Sequence, residues 1–378
     1  MSGTSETPLV VPHSRVVLDE AAIDAVQAVL RSGQVSMGAQ VQRLEEALSV
    51  FLGGVEVVAV SSGTAALHLV LEVLKGQGRQ RVLLPSYTCV SLYNATVMAG
   101  MHAEIVDVEE RTGNISADQV RPVLGSDISA VIVPHMFGCL ADVETLRDMG
   151  LQVIEDCSHA IGAVSNGRKA GTLSDIAVFS FHATKMLPGI EGGAVACKDK
   201  QFADELRDLR DYTGAKGTWR LRYNYRLSDV HATVVVAHLS KLSTYVQRRK
   251  ELARRYNQLL QSSPGVILPD ALGCTDHIYY RYVVRLGKGY DVSKVRARMR
   301  AMGIGTGVGV LRALHEELGL PDEQYPNTSQ WRRTALSLPI YPSLTEHEQD
   351  MVVRALTTAL ADEAIRGAGG VDAPSMDA

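Results

Sequence analysis

The sequence has 378 residues, of which 46% are hydrophobic and 21% charged, and its formal net charge is -4. This composition is typical of a globular protein with one large core and a smaller one. The weakly acidic balance does not favour nucleic acid as a partner, and no apolar run approaches the ~18 residues of a membrane span.

The five cysteines are scattered, without the spacing of disulfide or metal sites, and this favours free thiols in a reducing compartment. The eleven histidines likewise show no metal-ligand spacing, so we expect no bound metal. The segment from Met1 to Pro12 lacks a basic region followed by a long apolar core, so no signal peptide is predicted. These features together predict a cytoplasmic protein.

In chain order, the apolar spacing first predicts two amphipathic helices, from Leu18 to Arg31 and from about Val41 to Phe51. Strands and helices then alternate, and this pattern is typical of a mostly parallel central sheet flanked by helices. Polar side chains follow the predicted strands, at the sheet edge where α/β proteins bind ligands. The predicted strands are Val57–Val60, Val82–Leu84, Ala103–Val106, Ala130–Val133, Val153–Ile154 and Ile176–Phe181.

A long helical pattern from Asp229 to Leu260 is predicted to join this sheet to a C-terminal unit. That unit begins with a strand from Ile278 to Val284 and a helix from Val292 to Met302. We therefore predict a large domain over residues 1–245 and a smaller α+β domain over 246–365. The glycine-rich end, 366–378, is predicted to be a disordered tail.

A lysine follows the buried strand that ends at Phe181: Ser180 stands at the strand end, and Lys185 precedes a glycine-rich turn. Burying an amine near a strand end is costly unless the amine is used. Lysine forms Schiff bases with carbonyl groups, above all with pyridoxal phosphate (PLP). Taken alone, this stretch is better explained as an ordinary surface lysine at a strand end, and only the rest of the chain favours the PLP interpretation.

Two further features supply what PLP requires. Asp156, at the end of the Val153–Ile154 strand, is placed to pair with the pyridine nitrogen, and at about 4 Å this contributes ~4 kcal/mol at an effective dielectric of 20. Gly63 and Thr64 open a helix directly after a strand, a geometry that binds anions, and Ser180 adds a hydroxyl for the phosphate. Each feature alone is an ordinary cap, but together they favour a PLP site.

The sequence resembles the DegT/StrS family of PLP-dependent sugar aminotransferases, which belong to fold-type I, over about residues 15 to 360. The resemblance rests on seven motifs in the family's order. They are Ser62-Gly63-Thr64-Ala65-Ala66-Leu67-His68, Pro85-Ser86-Tyr87-Thr88, Glu155-Asp156-x-x-His159-Ala160, Phe179-Ser180-Phe181-His182-x-x-Lys185, Glu191-Gly192-Gly193, Tyr223-Asn224-Tyr225-Arg226 and Leu336-Ser337-Leu338-Pro339-x-Tyr341-Pro342.

The resemblance implies a role for each matching residue. Lys185 carries PLP as a Schiff base and moves the substrate proton, while Asp156 pairs with the pyridine nitrogen. His159 lies near the phenolic oxygen of the cofactor. Asn224 reaches the phosphate bound by the partner subunit, which implies a homodimer with shared active sites. Arg226 meets the carboxylate of the amino donor.

The sequence departs from the family pattern in two places. Cys89 stands where most relatives place an aromatic ring on one face of PLP, and Ser158, also small, is expected on the opposite face. Near Thr306, many relatives have a His-Tyr-Pro run, whereas this chain continues with residues 307–310, Gly-Val-Gly-Val. Both departures concern the identity of the substrate more than the type of reaction.

Lys185 favours transamination, because the sugar dehydratases of the family carry a histidine in its place. The resemblance implies that glutamate or glutamine donates an amino group to a ketone, first of all a nucleotide-linked keto-deoxysugar. A keto-cyclitol or another natural-product intermediate is the alternative acceptor. A PLP-dependent lyase or dehydratase remains an alternative reaction, and a non-catalytic regulator on the same fold is the alternative outside enzymes.

Overall fold

The computed structural model describes residues 9–75, 78, 80–213, 219–269 and 276–368, with only the backbone of 364–368. The strands are β1 Glu56–Val60, β2 Arg81–Pro85, β3 His102–Val106, β4 Ile128–Pro134, β5 Val153–Asp156, β6 Val164–Ser165, β7 Arg168–Lys169, β8 Ile176–Ser180, β9 Gly193–Cys197, β10 Val266–Ile267, β11 Tyr282–Leu286 and β12 Ala335–Leu338.

The helices are α1 Glu20–Ser32, α2 Ala39–Phe51, α3 Gly63–Lys75, α4 Ser91–Met98, α5 Ala117–Val120, α6 Val143–Asp148, α7 Lys200–Arg210, α8 Asp229–Leu239, α9 Leu242–Leu260, α10 Val292–Ala301, α11 Leu314–Glu317, α12 Pro326–Thr334 and α13 Glu346–Ala368. Among the described helices, none is long and apolar enough to cross a membrane.

The central sheet has seven strands in the order β1-β9-β8-β5-β4-β2-β3. Strands β2, β3, β4, β5 and β8 run parallel, whereas β9 is antiparallel to both neighbours. Successive residues of β1 alternate between two cores: Val58 and Val60 pack with α3 and α7, and Val57 and Ala59 pack with α2 and α8. The predicted mostly parallel sheet with helices on its faces is confirmed.

Strand β9 is absent from the sequence prediction, although it lies between β1 and β8. Its residues, Gly-Ala-Val-Ala-Cys, are mostly small and weak strand formers. The small size has a local cause at Gly193, where an added Cβ would lie 2.5 Å from the backbone carbonyl carbon of Ser62. This close approach brings the first residue of β9 against the start of α3.

A smaller antiparallel sheet, β10-β11-β12, forms the C-terminal α+β unit with α10 and α13. The prediction of one helix from Asp229 to Leu260 is wrong, because α8 ends at Leu239 and α9 begins at Leu242. The break lets α8 pack on α1 and α2 while α9 contacts α13. The predicted boundary between residues 245 and 246 falls inside α9 and stays a prediction.

Two further predictions, on the cysteines and on the C-terminal tail, differ in part from the structure. Cys139 is disulfide-bonded, so the expectation of free thiols fails there, whereas Cys89, Cys157 and Cys197 are free thiols. Cys274 lies outside the described residues. Of the predicted tail, 366–368 belong to α13 and 369–378 lie outside the described residues.

Candidate active site

The start of α3 meets the end of β8 at the carboxyl edge of the sheet. A Cβ added to Gly63 would lie 3.0 Å from the Cβ of Ser180, so only glycine leaves space between them. The Ser62 hydroxyl accepts a hydrogen bond from the Ala65 N–H at 3.1 Å and caps the helix. Thr64 occupies the first turn. A helix N-terminus with hydroxyls and an open backbone is suited to a phosphate group.

Asp156 ends β5, the strand beside β8, and its side chain is largely buried. Its Oδ1 accepts a hydrogen bond from the Ser158 N–H at 3.0 Å, which orients the carboxylate at the strand end. Ser158 itself is only partly buried. The structure thus places a fixed carboxylate at the same sheet edge as Ser180.

A buried cluster below Asp156 holds the end of β5 in place. Ligand atoms of His135, Glu155 and Cys157 lie within 4.8 Å of one another. The Glu155 carboxylate accepts hydrogen bonds from His135 at 3.2 Å and from the N–H groups of Gly171 and Ser174 at 2.8 and 2.6 Å. These hydrogen bonds use both oxygens of the Glu155 carboxylate, and they link β5 to the end of β4 and to the loop before β8.

Lys185 sits in a tight turn between β8 and β9. The Phe181 N–H donates to Gly192 O at 2.8 Å, and the Gly189 N–H donates to Phe181 O at 2.7 Å. The lysine is partly exposed, and its Nζ lies 5.1 Å from the centre of the Tyr280 ring. The amine is therefore held at the sheet edge but remains accessible.

His159 stacks on Tyr280 with ring centres 4.4 Å apart and an interplanar angle of 20°. Burial, followed by the charges of Lys185 and Arg281, holds the pKa of His159 well below its usual range, so the ring is neutral at neutral pH. Burial alone raises the pKa of Tyr280, but the same two cations outweigh it and the pKa lies below its ordinary value.

A cavity of about 300 Å³ opens beside Lys185. Residues of the N-terminal segment, from Ser14 to Asp19, line one side, and residues of α9 and of the turn after β12 line the other. Arg281 and Arg249 also face this cavity. Sequence reasoning missed both arginines and Tyr280, although the run Tyr279-Tyr280-Arg281 at the start of a strand is an unusual concentration of aromatic and cationic groups.

Three predicted site residues do not line the cavity beside Lys185. Cys89 is an exposed thiol between β2 and α4. Asn224 is exposed and pairs by a backbone bridge with Asp211, and the next residue, Tyr225, accepts a hydrogen bond from the Ser61 N–H at 2.8 Å. The Arg226 guanidinium binds the Asp211 carboxylate at 2.5 Å, so this arginine already has an anionic partner within the chain.

Comparison with known proteins identifies the family of this chain. The model of the DegT/DnrJ/EryC1/StrS aminotransferase family matches residues 16–357. The chain belongs to this family. It is therefore an aminotransferase, and the resemblance inferred from the seven motifs is confirmed.

Solved structures agree with this assignment. The aminotransferase TlmJ from Streptoalloteichus hindustanus is 28% identical, with a TM-score of 0.85 over 93% of this chain and 99% of TlmJ. DesV from S. venezuelae, solved with a ketimine intermediate, is 29% identical, with a TM-score of 0.84 over 93% of this chain and 98% of DesV. The PLP form of Spr1654 from Streptococcus pneumoniae, at 22% identity, shares the fold with a TM-score of 0.86 over 93% of this chain and 99% of Spr1654. The predicted fold-type I architecture is thus confirmed.

The residues present fit a PLP group. Gly63, Thr64 and Ser180 are only partly buried, and without a side chain on Gly63 the helix start beside Ser180 stays open to an anion such as a phosphate. The Asp156 carboxylate, the Lys185 amine and the neutral His159 ring lie at the same sheet edge. Each donor has the chemistry that the corresponding part of the cofactor needs.

Proposed function

We propose that this aminotransferase uses PLP to move an amino group from glutamate or glutamine to a nucleotide-linked keto-deoxysugar. The observation that carries the proposal is the convergence of the Gly63–Ser180 cradle, the Asp156 carboxylate and the Lys185 turn at one sheet edge. A phosphate site, an anion for a pyridine nitrogen and an accessible amine are the three requirements of PLP enzymes.

The cofactor, when bound, supplies the electron sink that stabilises negative charge on the substrate carbon. Gly63, Thr64 and Ser180 hold its phosphate. Asp156 keeps its ring nitrogen protonated, and the hydrogen bond from the Ser158 N–H fixes that carboxylate. Cys89 and Ser158 would face the two sides of the ring, and as small residues they would cover each side less than an aromatic side chain.

Lys185 binds the cofactor as an amine and moves the proton at the substrate carbon. The backbone hydrogen bonds of its turn fix the main chain at the strand edge, and the partly exposed side chain leaves Nζ accessible. His159, neutral because its pKa is well below the usual range, donates or accepts one hydrogen bond at the phenolic oxygen without adding positive charge.

The working unit in this proposal is a homodimer. Asn224 is exposed on the segment before α8, so it is available to the phosphate site of a second copy. Arg226 lies two residues farther on, and its proposed contact with the donor carboxylate would require it to leave Asp211. A keto-cyclitol or another natural-product intermediate is the second candidate acceptor.

Two measurements test the proposal. Borohydride reduction of the purified protein with PLP, followed by peptide mass mapping, is expected to place a pyridoxyl group on Lys185. Incubation with glutamate or glutamine and panels of keto-sugar nucleotides and keto-cyclitols is expected to release the donor's keto acid in step with acceptor amination. A pyridoxyl group on another lysine, or keto acid release beyond one equivalent per active site without amination of an acceptor, contradicts the proposal.

A further inference from the structure

The cavity beside Lys185 carries an excess of positive charge. Five charged side chains line it: Arg15, Asp19, Lys185, Arg249 and Arg281. Two of these are neutralised by partners outside the cavity, since Arg15 binds Glu348 at 3.0 Å and Asp19 binds Lys241. The lysine and the two remaining arginines are left facing the same space.

Arg249 is the buried member of the pair, with 6% of its surface exposed. Its Nη1 donates to three backbone carbonyl oxygens, those of Tyr279, Tyr280 and Ile340, at 2.9 to 3.2 Å. Its Nε has no hydrogen-bond partner among the described residues, and no carboxylate among them pairs with its guanidinium. A buried cation without an anion is costly and is stabilised by a bound anion.

Arg281 is the accessible member. It is half-buried, and its side-chain contacts are neutral: the Ser14 hydroxyl at 2.5 Å, the Tyr280 hydroxyl at 3.4 Å and the Nδ1 of His13 at 3.5 Å. Its Cζ lies 4.8 Å from the centre of the Tyr280 ring, and the Nζ of Lys185 lies 5.1 Å from the same centre. The two cations are therefore within about 10 Å of each other.

We infer that Arg281, with the charge of Arg249 behind it, binds the carboxylate of the amino donor. The inference rests on the proposed function, in which a donor brings its amine to Lys185. A guanidinium fork without a carboxylate partner matches a carboxylate in two parallel hydrogen bonds. Arg226, the residue that the family resemblance favours for this role, is already bound to Asp211 in its own chain.

Binding of succinate, a dicarboxylate without an amine, tests the inference apart from turnover. Isothermal titration calorimetry is applied to the PLP-loaded protein and to three variants. Arg281→Gln is expected to weaken succinate binding at least tenfold, and Arg281→Lys, which keeps the charge but not the fork, is expected to fall between. Arg15→Gln is the matched control, because Arg15 lines the same cavity but is paired with Glu348, and it should change the affinity less than twofold.

Single-turnover measurements show whether Arg281 binds the amino donor or the keto acceptor. Arg281→Gln is expected to raise the donor concentration at half-saturation at least tenfold and to leave that of the keto acceptor within twofold. The inference is overturned if Arg281→Gln binds succinate as tightly as wild type does, or if Arg15→Gln weakens succinate binding equally. It is also overturned if Arg281→Gln raises the half-saturating concentration of the acceptor instead of the donor, or if Arg226→Gln, and not Arg281→Gln, raises that of the donor. If wild type releases no keto acid from any donor, the proposed function fails instead, and the succinate titration still decides whether the cavity is an anion site.

Discussion

The imidazole ring of His13 occupies the space that a side chain on Gly307 would need. A Cβ added at Gly307 would lie 2.5 Å from the ring Cε1 of His13. The ring also hydrogen-bonds the Ser337 hydroxyl at 2.9 Å, and the Gly307 N–H pairs with Ser337 O at 2.9 Å. Where relatives carry a His-Tyr-Pro run, this chain has glycine there and places a histidine from its N-terminal segment against it.

A double-mutant cycle tests this pairing. Gly307→Ala is expected to destabilise the protein by about 1–3 kcal/mol, because overfilling a packed site displaces the neighbouring ring. His13→Ala removes that ring, so the double variant should be more stable than the sum of the single changes by about 1 kcal/mol or more. Chemical denaturation supplies the four free energies. Strict additivity would mean that the ring and the glycine do not share the space.

His13 also predicts a pH dependence. Burial, followed by the charges of Arg281 and Arg296, lowers its pKa from 6.5 to about 3. Below about pH 6.5, His13 therefore binds a proton in the unfolded chain but not in the folded chain. As a result, the free energy of unfolding falls progressively toward pH 3. At pH 5 the loss approaches about 2 kcal/mol from this residue.

The measurement is the free energy of unfolding of wild type and His13→Gln at pH 7.5 and pH 5. Other buried groups, such as His277, whose pKa burial also lowers to about 3, act equally in both proteins. The difference between the two slopes therefore reports His13. Wild type should lose more stability on acidification than His13→Gln, and parallel slopes would show that His13 takes up its proton in the folded state.

The alternation of strands and helices, and the strand-end positions of Asp156 and Ser180, were predictable because hydrophobic periodicity and turns are local in sequence. Strand β9 was not predictable, because Gly193 at its start is small to fit against the backbone of Ser62, more than a hundred residues earlier. The split between α8 and α9 was missed for a similar reason, because each helix follows a different packing partner.

The anion site was also beyond sequence reasoning. Arg15 and Arg281 are the same residue type, and only the folded chain shows that Arg15 is paired with Glu348, 333 residues away, whereas Arg281 contacts hydroxyls. Which cation remains without an anion is a property of the whole fold. The seven motifs nevertheless located Lys185, Asp156 and the cradle of Gly63 and Ser180.

Mixed dimers test the proposed sharing of active sites. Lys185→Ala and Asn224→Ala are each expected to be inactive as homodimers. After subunit exchange, each mixed dimer holds one site with both groups intact, so a random mixture should regain about a quarter of wild-type activity. Exchange is monitored independently with differently tagged subunits. Demonstrated exchange without returning activity would mean that Asn224 acts within its own chain or has no role at the phosphate.

The last prediction concerns Cys89, which the family resemblance predicts to stand where relatives carry an aromatic ring over the cofactor. The thiol is exposed between β2 and α4, so a larger side chain here has room and should leave the free energy of unfolding unchanged within about 0.5 kcal/mol. Aromatic stacking contributes about 0.5–1.5 kcal/mol beyond burial. Cys89→Tyr should therefore slow the loss of PLP on dialysis by roughly twofold to tenfold.

The same change should reduce the space above the ring. We expect Cys89→Tyr to slow amination of the native acceptor more than the half-reaction with the amino donor, because the acceptor is the larger ketone. Cys89→Ser is the matched control, since it alters the thiol without adding bulk, and it should resemble wild type in both half-reactions. Single-turnover rates for each half-reaction and the PLP content after dialysis provide the measurement. If Cys89→Tyr slows both half-reactions equally and retains PLP no better than wild type, Cys89 is only a small packing residue and the space above the ring does not select the acceptor.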